Sequence, residues 1–288
     1  MTSEPTRVDI DELLSRHEVI LFDAYGVLLA AEGALPGAID LVARLEREGR
    51  PYFVVTNDAS RHPSRITRFY ASLGLPIPEE RVLSSGALLA RHFEEARLRG
   101  ARCVVLGPED SQRLVREAGG VITPLDAADP VDAVVVCDEA GYPLLETLDE
   151  VISRAFFEID RGRELAFILP NPDMLYPKGD SRFGVAAGSV ALVIEHALER
   201  RYRERAPAFT RLGKPEAALF DEARRRAGSD DLVMLGDQLD TDVKGANGAR
   251  VASALVETGL ARWRESLPPD LTPTYLLSSL VVGGSRRV

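Results

Sequence analysis

Cysteine is nearly absent from this chain: only Cys103 and Cys137 occur among 288 residues. Each sits inside an apolar, strand-like run, so a disulfide framework is excluded and two buried, reduced thiols are expected. Histidine is almost as scarce, and His17, His62, His92 and His196 show no zinc-type spacing, which argues against a zinc centre. No apolar stretch approaches the roughly 20 residues that a membrane-spanning helix needs. The opening MTSEPTRVDIDELL lacks the basic and then apolar pattern of a secretory signal. These absences predict a cytoplasmic protein with no membrane partner. Positive charge is also in deficit, with 35 Lys and Arg against 45 Asp and Glu and a formal net charge of −10. An acidic surface repels phosphate backbones, so nucleic acid is not an expected partner, whereas a small anion held by a few local cations is allowed.

What is present is ordinary globular composition, 45% hydrophobic and 28% charged, in a chain long enough for one large domain or two unequal ones. Short apolar runs bounded by turn residues recur: VILF (19–22), YFVV (52–55), CVVL (103–106), AVVVC (133–137), AFIL (166–169), LVML (232–235) and ASALV (252–256). Most are followed by a helical pattern. Unbroken apolar runs alternating with helices predict an α/β fold with a doubly wound parallel sheet, covered on both faces. The stretch from about Ser85 to Gly188 holds three of these runs and is too long for a loop, so it is expected to be an inserted domain. The expected organisation is therefore a core from 1–85 and 189–288 with an insertion over 86–188. A last strand is expected from Leu276, with Arg286 and Arg287 in a solvated tail. The charged runs Glu199–Arg205 and Glu222–Arg226 read as solvated helix faces.

In doubly wound sheets ligands gather beyond the carboxyl ends of the strands, which directs attention to the residues that follow each run. Three ends are polar: Asp23-Ala-Tyr-Gly, Thr56-Asn57-Asp58 and Gly236-Asp237. Asp23, Asp237 and Asp242 would converge there, and clustered carboxylates repel unless they share a cation. All-oxygen ligation with few protein carboxylates suits Mg2+. Gly26 lets backbone N–H groups approach an oxyanion. Thr56 and Asn57 offer a hydroxyl and amides to phosphate oxygens, and Lys214, just ahead of a helix, offers a compact positive charge. Each residue alone has a plainer reading: Asp23 as a turn or cap residue, Lys214 as a surface lysine, Asn171-Pro172-Asp173 as a Pro-fixed turn.

Taken in order, DAYGVL, VVTND, GKP and GDQLDTDV resemble the four motifs of the haloacid dehalogenase superfamily of aspartyl-phosphate hydrolases. The insertion after the second motif, the NPD at Asn171–Asp173 and GDQLDTDVKGA resemble the class that holds NagD-like nucleotidases and the phosphoglycolate, 4-nitrophenyl and pyridoxal phosphatases. That resemblance implies a Mg2+-dependent hydrolase of small phosphomonoesters, with a small phosphorylated metabolite as partner. By it, Asp23 is the nucleophile. Thr56 and Lys214 hold the phosphoryl oxygens. Asp23, the Tyr25 carbonyl and Asp237 ligate Mg2+, and Asp242 orients a metal-bound water or the lysine. Gly26, Asn57, Asp58, Asn171 and Asp173 are implied on the substrate side, with Asn57 and Asp58 fixing their loop. The insertion is implied to be a C2-type cap that excludes water, selects substrate and, as in relatives, supports a homodimer.

The pattern is broken at one position. Phosphatases of this superfamily usually carry Asp two residues after the nucleophile as general acid and base, and here Tyr25 stands there. A tyrosine hydroxyl, with an ordinary pKa of about 10, donates a proton near neutral pH but is a poor base. Positioned proton transfer is commonly worth about 10²–10⁴-fold in rate, so slow turnover is the expectation. Two alternatives stay open at this stage: a phospholigand sensor that has lost turnover, and a metal-independent 2-haloacid dehalogenase, whose first motif Asp-Ala-Tyr-Gly also resembles.

Overall fold

The apolar runs become parallel strands with both faces buried. The computed structural model describes residues 4–30, 32–178, 182–258, 261–264 and 267–282. The chain divides into two compact units, one from Met1–Thr56, Pro63–Leu83 and Lys214–Val288, the other from Asn57–His62 and Ser84–Gly213. No helix among the described residues is long and apolar enough to cross a membrane.

The first unit is built on a seven-stranded sheet in the order Thr6–Val8, Tyr275–Leu277, Ala252–Val256, Leu232–Gly236, Val19–Phe22, Tyr52–Thr56, Val82–Ser84. The central strands pair in parallel, with Phe22 opposite Leu235 on one side and Val54 on the other. Alternate residues serve opposite faces: Ala254, Val256 and Leu277 pack in the main core, while Leu255 and Leu276 pack with Val243 on the reverse side. Period-two alternation in which both sets are apolar is what a sheet covered on both sides requires. Helix Ala38–Arg47 covers one face with Ala38, Leu41, Val42 and Leu45, the spacing of a single helical stripe. Its entry turns at Gly37, where φ is 85° and an added Cβ would lie 2.6 Å from the Leu280 carbonyl carbon.

The second unit carries its own five-stranded parallel sheet in the order Thr210–Arg211, Ala166–Leu169, Ala133–Val136, Arg102–Leu106, Val121–Ile122. It runs to Gly213 rather than ending at Gly188. The reason is packing: helix Ala187–Tyr202 turns Ala187, Val190, Ala191, Ile194 and Leu198 into the core that also holds Val104, Val134 and Phe167, and Thr210 pairs with Ile168. Two buried carboxylates are satisfied inside this unit. Glu158 accepts from Val131 N and pairs with Arg154 and Arg163, and Glu195 accepts from Phe209 N and pairs with Arg211. Cys103 and Cys137 are buried free thiols, as expected. The last strand is Tyr275–Leu277, and Arg286 and Arg287 lie outside the described residues.

Ile194 is fully buried while its neighbour Val193 is 51% exposed on the same helix. Ile194→Ala is expected to cost about 2–5 kcal/mol in urea unfolding, and Val193→Ala less than about 0.5 kcal/mol. Equal effects would contradict the helix orientation.

Candidate active site

Two adjacent strand ends supply the acidic centre. Asp23 follows the Val19–Phe22 strand and is held there by its own amide, which donates to Leu235 O at 2.8 Å. Asp237 follows Leu232–Gly236, and Asp242 returns to the same place through a single wide turn over Leu239–Val243. That return needs Gly236, because a Cβ there would lie 2.1 Å from the Cβ of Asp242. Ligand oxygens of Asp23, Asp237 and Asp242 all lie within 4.8 Å of one another, and all three residues are buried.

Lys214 enters this cluster from the start of the chain's last passage through the first unit. Its Nζ donates to Asp23 Oδ1 at 2.6 Å and to Asp242 Oδ1 at 2.7 Å, with only 2% of the residue exposed. Asp242 also accepts through Oδ2 from the amides of Asp237 and Gln238, both at 3.1 Å. Burial is the largest influence on Asp23 and pushes its carboxyl well above the usual range; Lys214 opposes this, while Asp242 and Asp237 add to it. Burial also works against the Lys214 charge, but Asp23 and Asp242 together outweigh it and hold the ammonium protonated.

The loop after Asp23 is wound tightly. Leu28 N and Leu29 N both donate to Ala24 O, and Gly26 N donates to Leu29 O at 2.7 Å. Gly26 has φ of 87°, and a Cβ on it would meet Asp237 Oδ2 at 2.2 Å, so its bare backbone lies directly on that carboxylate. Tyr25 forms a bridge with Leu29, and the residue is 37% exposed. Thr56 closes the neighbouring strand and is buried.

The remaining residues expected at the site belong to the second unit. Asn57 Nδ2 donates to Asp173 Oδ1 at 2.8 Å, and Asp173 N donates to Asn171 Oδ1 at 3.0 Å, so the two segments meet there. Asp58 turns to its own loop: Oδ1 accepts from Ser60 N, Ser60 Oγ and Arg61 N, and Oδ2 pairs with Arg61 at 3.0 Å. These contacts hold the Asn57–Arg61 loop. Sequence reasoning passed over the loop after Ala252–Val256, where Thr258 Oγ1 donates to Gly26 O at 3.2 Å and Ala261 N donates to Asp237 O at 3.0 Å. The signal was available, since Thr258 also stands just past a strand end.

A family model for haloacid dehalogenase-like hydrolases matches residues 20–120, and a second, HAD-hydrolase-like model matches residues 211–282. Glycerol-3-phosphate phosphatase of Gallus gallus is 31% identical over 271 residues, spanning 88% of this chain and 83% of its own. Dihydroxyacetone phosphatase of Corynebacterium glutamicum is 29% identical, spanning 90% and 88%. A sugar-phosphatase candidate of the same superfamily from Cytophaga hutchinsonii superposes with a TM-score of 0.83 at 29% identity, covering 96% of this chain and 99% of the other. The chain belongs to the haloacid dehalogenase-like hydrolases, and within them to the phosphatases.

Removing the ammonium leaves two buried carboxylates facing each other. Lys214→Met is expected to lower the unfolding free energy by about 3–5 kcal/mol at neutral pH without added metal. The exposed Lys244→Met should change it by less than about 0.5 kcal/mol in the same urea titration.

Proposed function

We propose that the protein is a Mg2+-dependent hydrolase of small phosphomonoesters that works through an aspartyl-phosphate on Asp23. The observation that carries this reading is the Lys214 ammonium seated between Asp23 and Asp242 inside a buried triad of carboxylates. Three carboxylates against one ammonium leave an excess of negative charge out of water, which a divalent cation would balance. The donors are oxygens only, and Gly26 brings backbone rather than a side chain against Asp237, a set that fits Mg2+ better than zinc. Asp23, the Tyr25 carbonyl, Asp237 and Asp242 are the residues assigned to hold it. When bound, the ion would neutralise phosphate charge and screen the carboxylates from the incoming anion.

In the proposed reaction an Asp23 carboxylate oxygen attacks phosphorus, the P–O bond to the alcohol breaks, and the leaving oxygen takes a proton from the Tyr25 hydroxyl or solvent, which is returned when water is deprotonated in the second step. Water then attacks the phosphorus of the acyl phosphate, returning Asp23 as carboxylate and releasing inorganic phosphate. Lys214 supplies fixed positive charge beside the attacking group, and Thr56 offers a hydroxyl and amide to the phosphoryl oxygens. Asp242 holds Lys214 and is itself oriented by two backbone amides. The second unit is assigned as the C2-type cap that selects the substrate and, by likeness to relatives, joins two copies.

The test is phosphate release from 4-nitrophenyl phosphate and a panel that includes glycerol 3-phosphate and dihydroxyacetone phosphate, with Asp23→Asn as blank. Release is expected only with Mg2+, and Mg2+ alone is expected to raise the thermal midpoint of the wild type but not of Asp237→Asn. Metal-independent release, or none above the blank, would overturn the reading.

Tyr25 generates a separate expectation. With no carboxylate at this position, leaving groups of low pKa need no proton and should react about 10²-fold or more faster than alkyl phosphates, and Tyr25→Asp should narrow that gap. A Tyr25→Asp enzyme with unchanged alkyl phosphate turnover would show that proton transfer is handled elsewhere.

A further inference from the structure

The chain crosses between the units four times, at Thr56–Asn57, His62–Pro63, Leu83–Ser84 and Gly213–Lys214. At the first and the last of these the residue on the first-unit side, Thr56 or Lys214, is one assigned to the phosphoryl group. Their covalent neighbours, Asn57 and Gly213, are packed together inside the second unit. A Cβ on Gly213 would lie 2.5 Å from Asn57 Oδ1, 2.6 Å from Pro170 O and 2.8 Å from Pro172 Cδ. Asn57 is 4% exposed and donates through Nδ2 to Asp173 Oδ1 at 2.8 Å. Asp173 is pinned in turn: its amide donates to Asn171 Oδ1, and its carbonyl accepts from Gly188 N at 2.9 Å. Gly188 has no room for a side chain, since a Cβ would lie 2.4 Å from Pro172 O.

We infer that Asp173 is a positioning residue for the phosphatase reaction, acting through Asn57 and Gly213 on the two chain crossings that carry Thr56 and Lys214. The inference rests on the reading that those two residues serve the phosphoryl group. A carboxylate that accepts a hydrogen bond from a buried amide fixes the Asn57 rotamer, and the Asn57 oxygen then leaves Gly213 one place to lie. Loosening the bond frees both of these crossings together. Small displacements of groups that must meet a transition state cost rate rather than ground-state affinity.

Three variants separate this role from general stability. Asp173→Ala removes the acceptor, while Asp173→Asn discards the charge and keeps Oδ1 for the Asn57 bond. Asp173→Ala is expected to accelerate amide hydrogen exchange at least tenfold at Thr56–Asn57 and also at Gly213–Lys214, and to lower kcat at least tenfold with KM within threefold. Asp173→Asn is expected to keep exchange at both crossings within threefold of wild type and to recover kcat at least threefold relative to Asp173→Ala. If Asp173→Ala does not fold, Asn57→Ala removes the donor instead and is read by exchange at Gly213 and Lys214. Unchanged exchange at Gly213–Lys214, a KM effect without a kcat effect, or an Asp173→Asn enzyme as impaired as Asp173→Ala would each overturn the inference. The exchange measurement needs no turnover, so absent activity in the wild type would defeat the functional reading while leaving the coupling to be decided on its own.

Discussion

The Lys214 ammonium between Asp23 and Asp242 is the contact on which the rest of this centre depends. Buried carboxylates a few ångströms apart are unfavourable unless each finds compensating charge and donors. Here one ammonium serves two of them, and two backbone amides complete Asp242. That solution dictates sequence at a distance. Glycine stands at position 236 because Asp242 folds back across it, and at position 26 because Asp237 occupies the space a side chain would need. It also dictates topology, since Asp23 and Asp237 end neighbouring strands whose register sets Phe22 opposite Leu235. The compensation is incomplete: burial, with two neighbouring carboxylates, raises the Asp23 carboxyl well above its usual range despite Lys214. A site left short of positive charge in this way is suited to receive a cation.

The second unit solves the same electrostatic problem differently. Two of its buried acids, Glu158 and Glu195, are each met by arginine and by a backbone amide, and among the described residues the unit holds no acidic cluster like that of the first. Satisfied buried ion pairs specify packing, whereas an unbalanced acidic cluster calls for something from solution. On electrostatic grounds alone, then, the chemistry falls to the first unit.

Much of this was written in the sequence, for identifiable reasons. Runs such as VILF and AFIL became strands with the bounds they show in sequence, because a strand covered on both faces has no polar residue to blur its edges. Asp23, Asp237 and Asp242 could be grouped because strand ends of a parallel sheet meet on one side, and Lys214 joined them through the likeness of its GKP to a family motif. The reach of the insertion could not be read so well. The stripe Val190, Ala191, Ile194, Leu198 looks the same whichever core it packs against, and only pairing of Thr210 with Ile168 shows that the chain has not yet left the second unit. The short strands Thr6–Val8 and Val121–Ile122 were equally hidden, being too brief to carry a period. Thr258 was missed because one polar residue past a strand is common, and its meaning comes from a carbonyl 232 positions earlier in the chain.

Tyr25 shows that two parts of the proposed chemistry can be separated. Charge stabilisation resides in side chains that are buried and mutually bonded, so they stay in place whatever residue occupies position 25. On the proposed assignment position 25 contributes to that centre through its backbone, in a turn over Ala24–Leu29 that makes three hydrogen bonds of its own. The residue as a whole is 37% exposed. An aspartate there would add a fourth carboxylate beside a cluster that already lacks positive charge, raising the demand for a bound cation. Tyrosine avoids that added repulsion and gives up a base. On this reading the substitution alters which leaving groups depart readily while leaving the phosphoryl-binding centre intact.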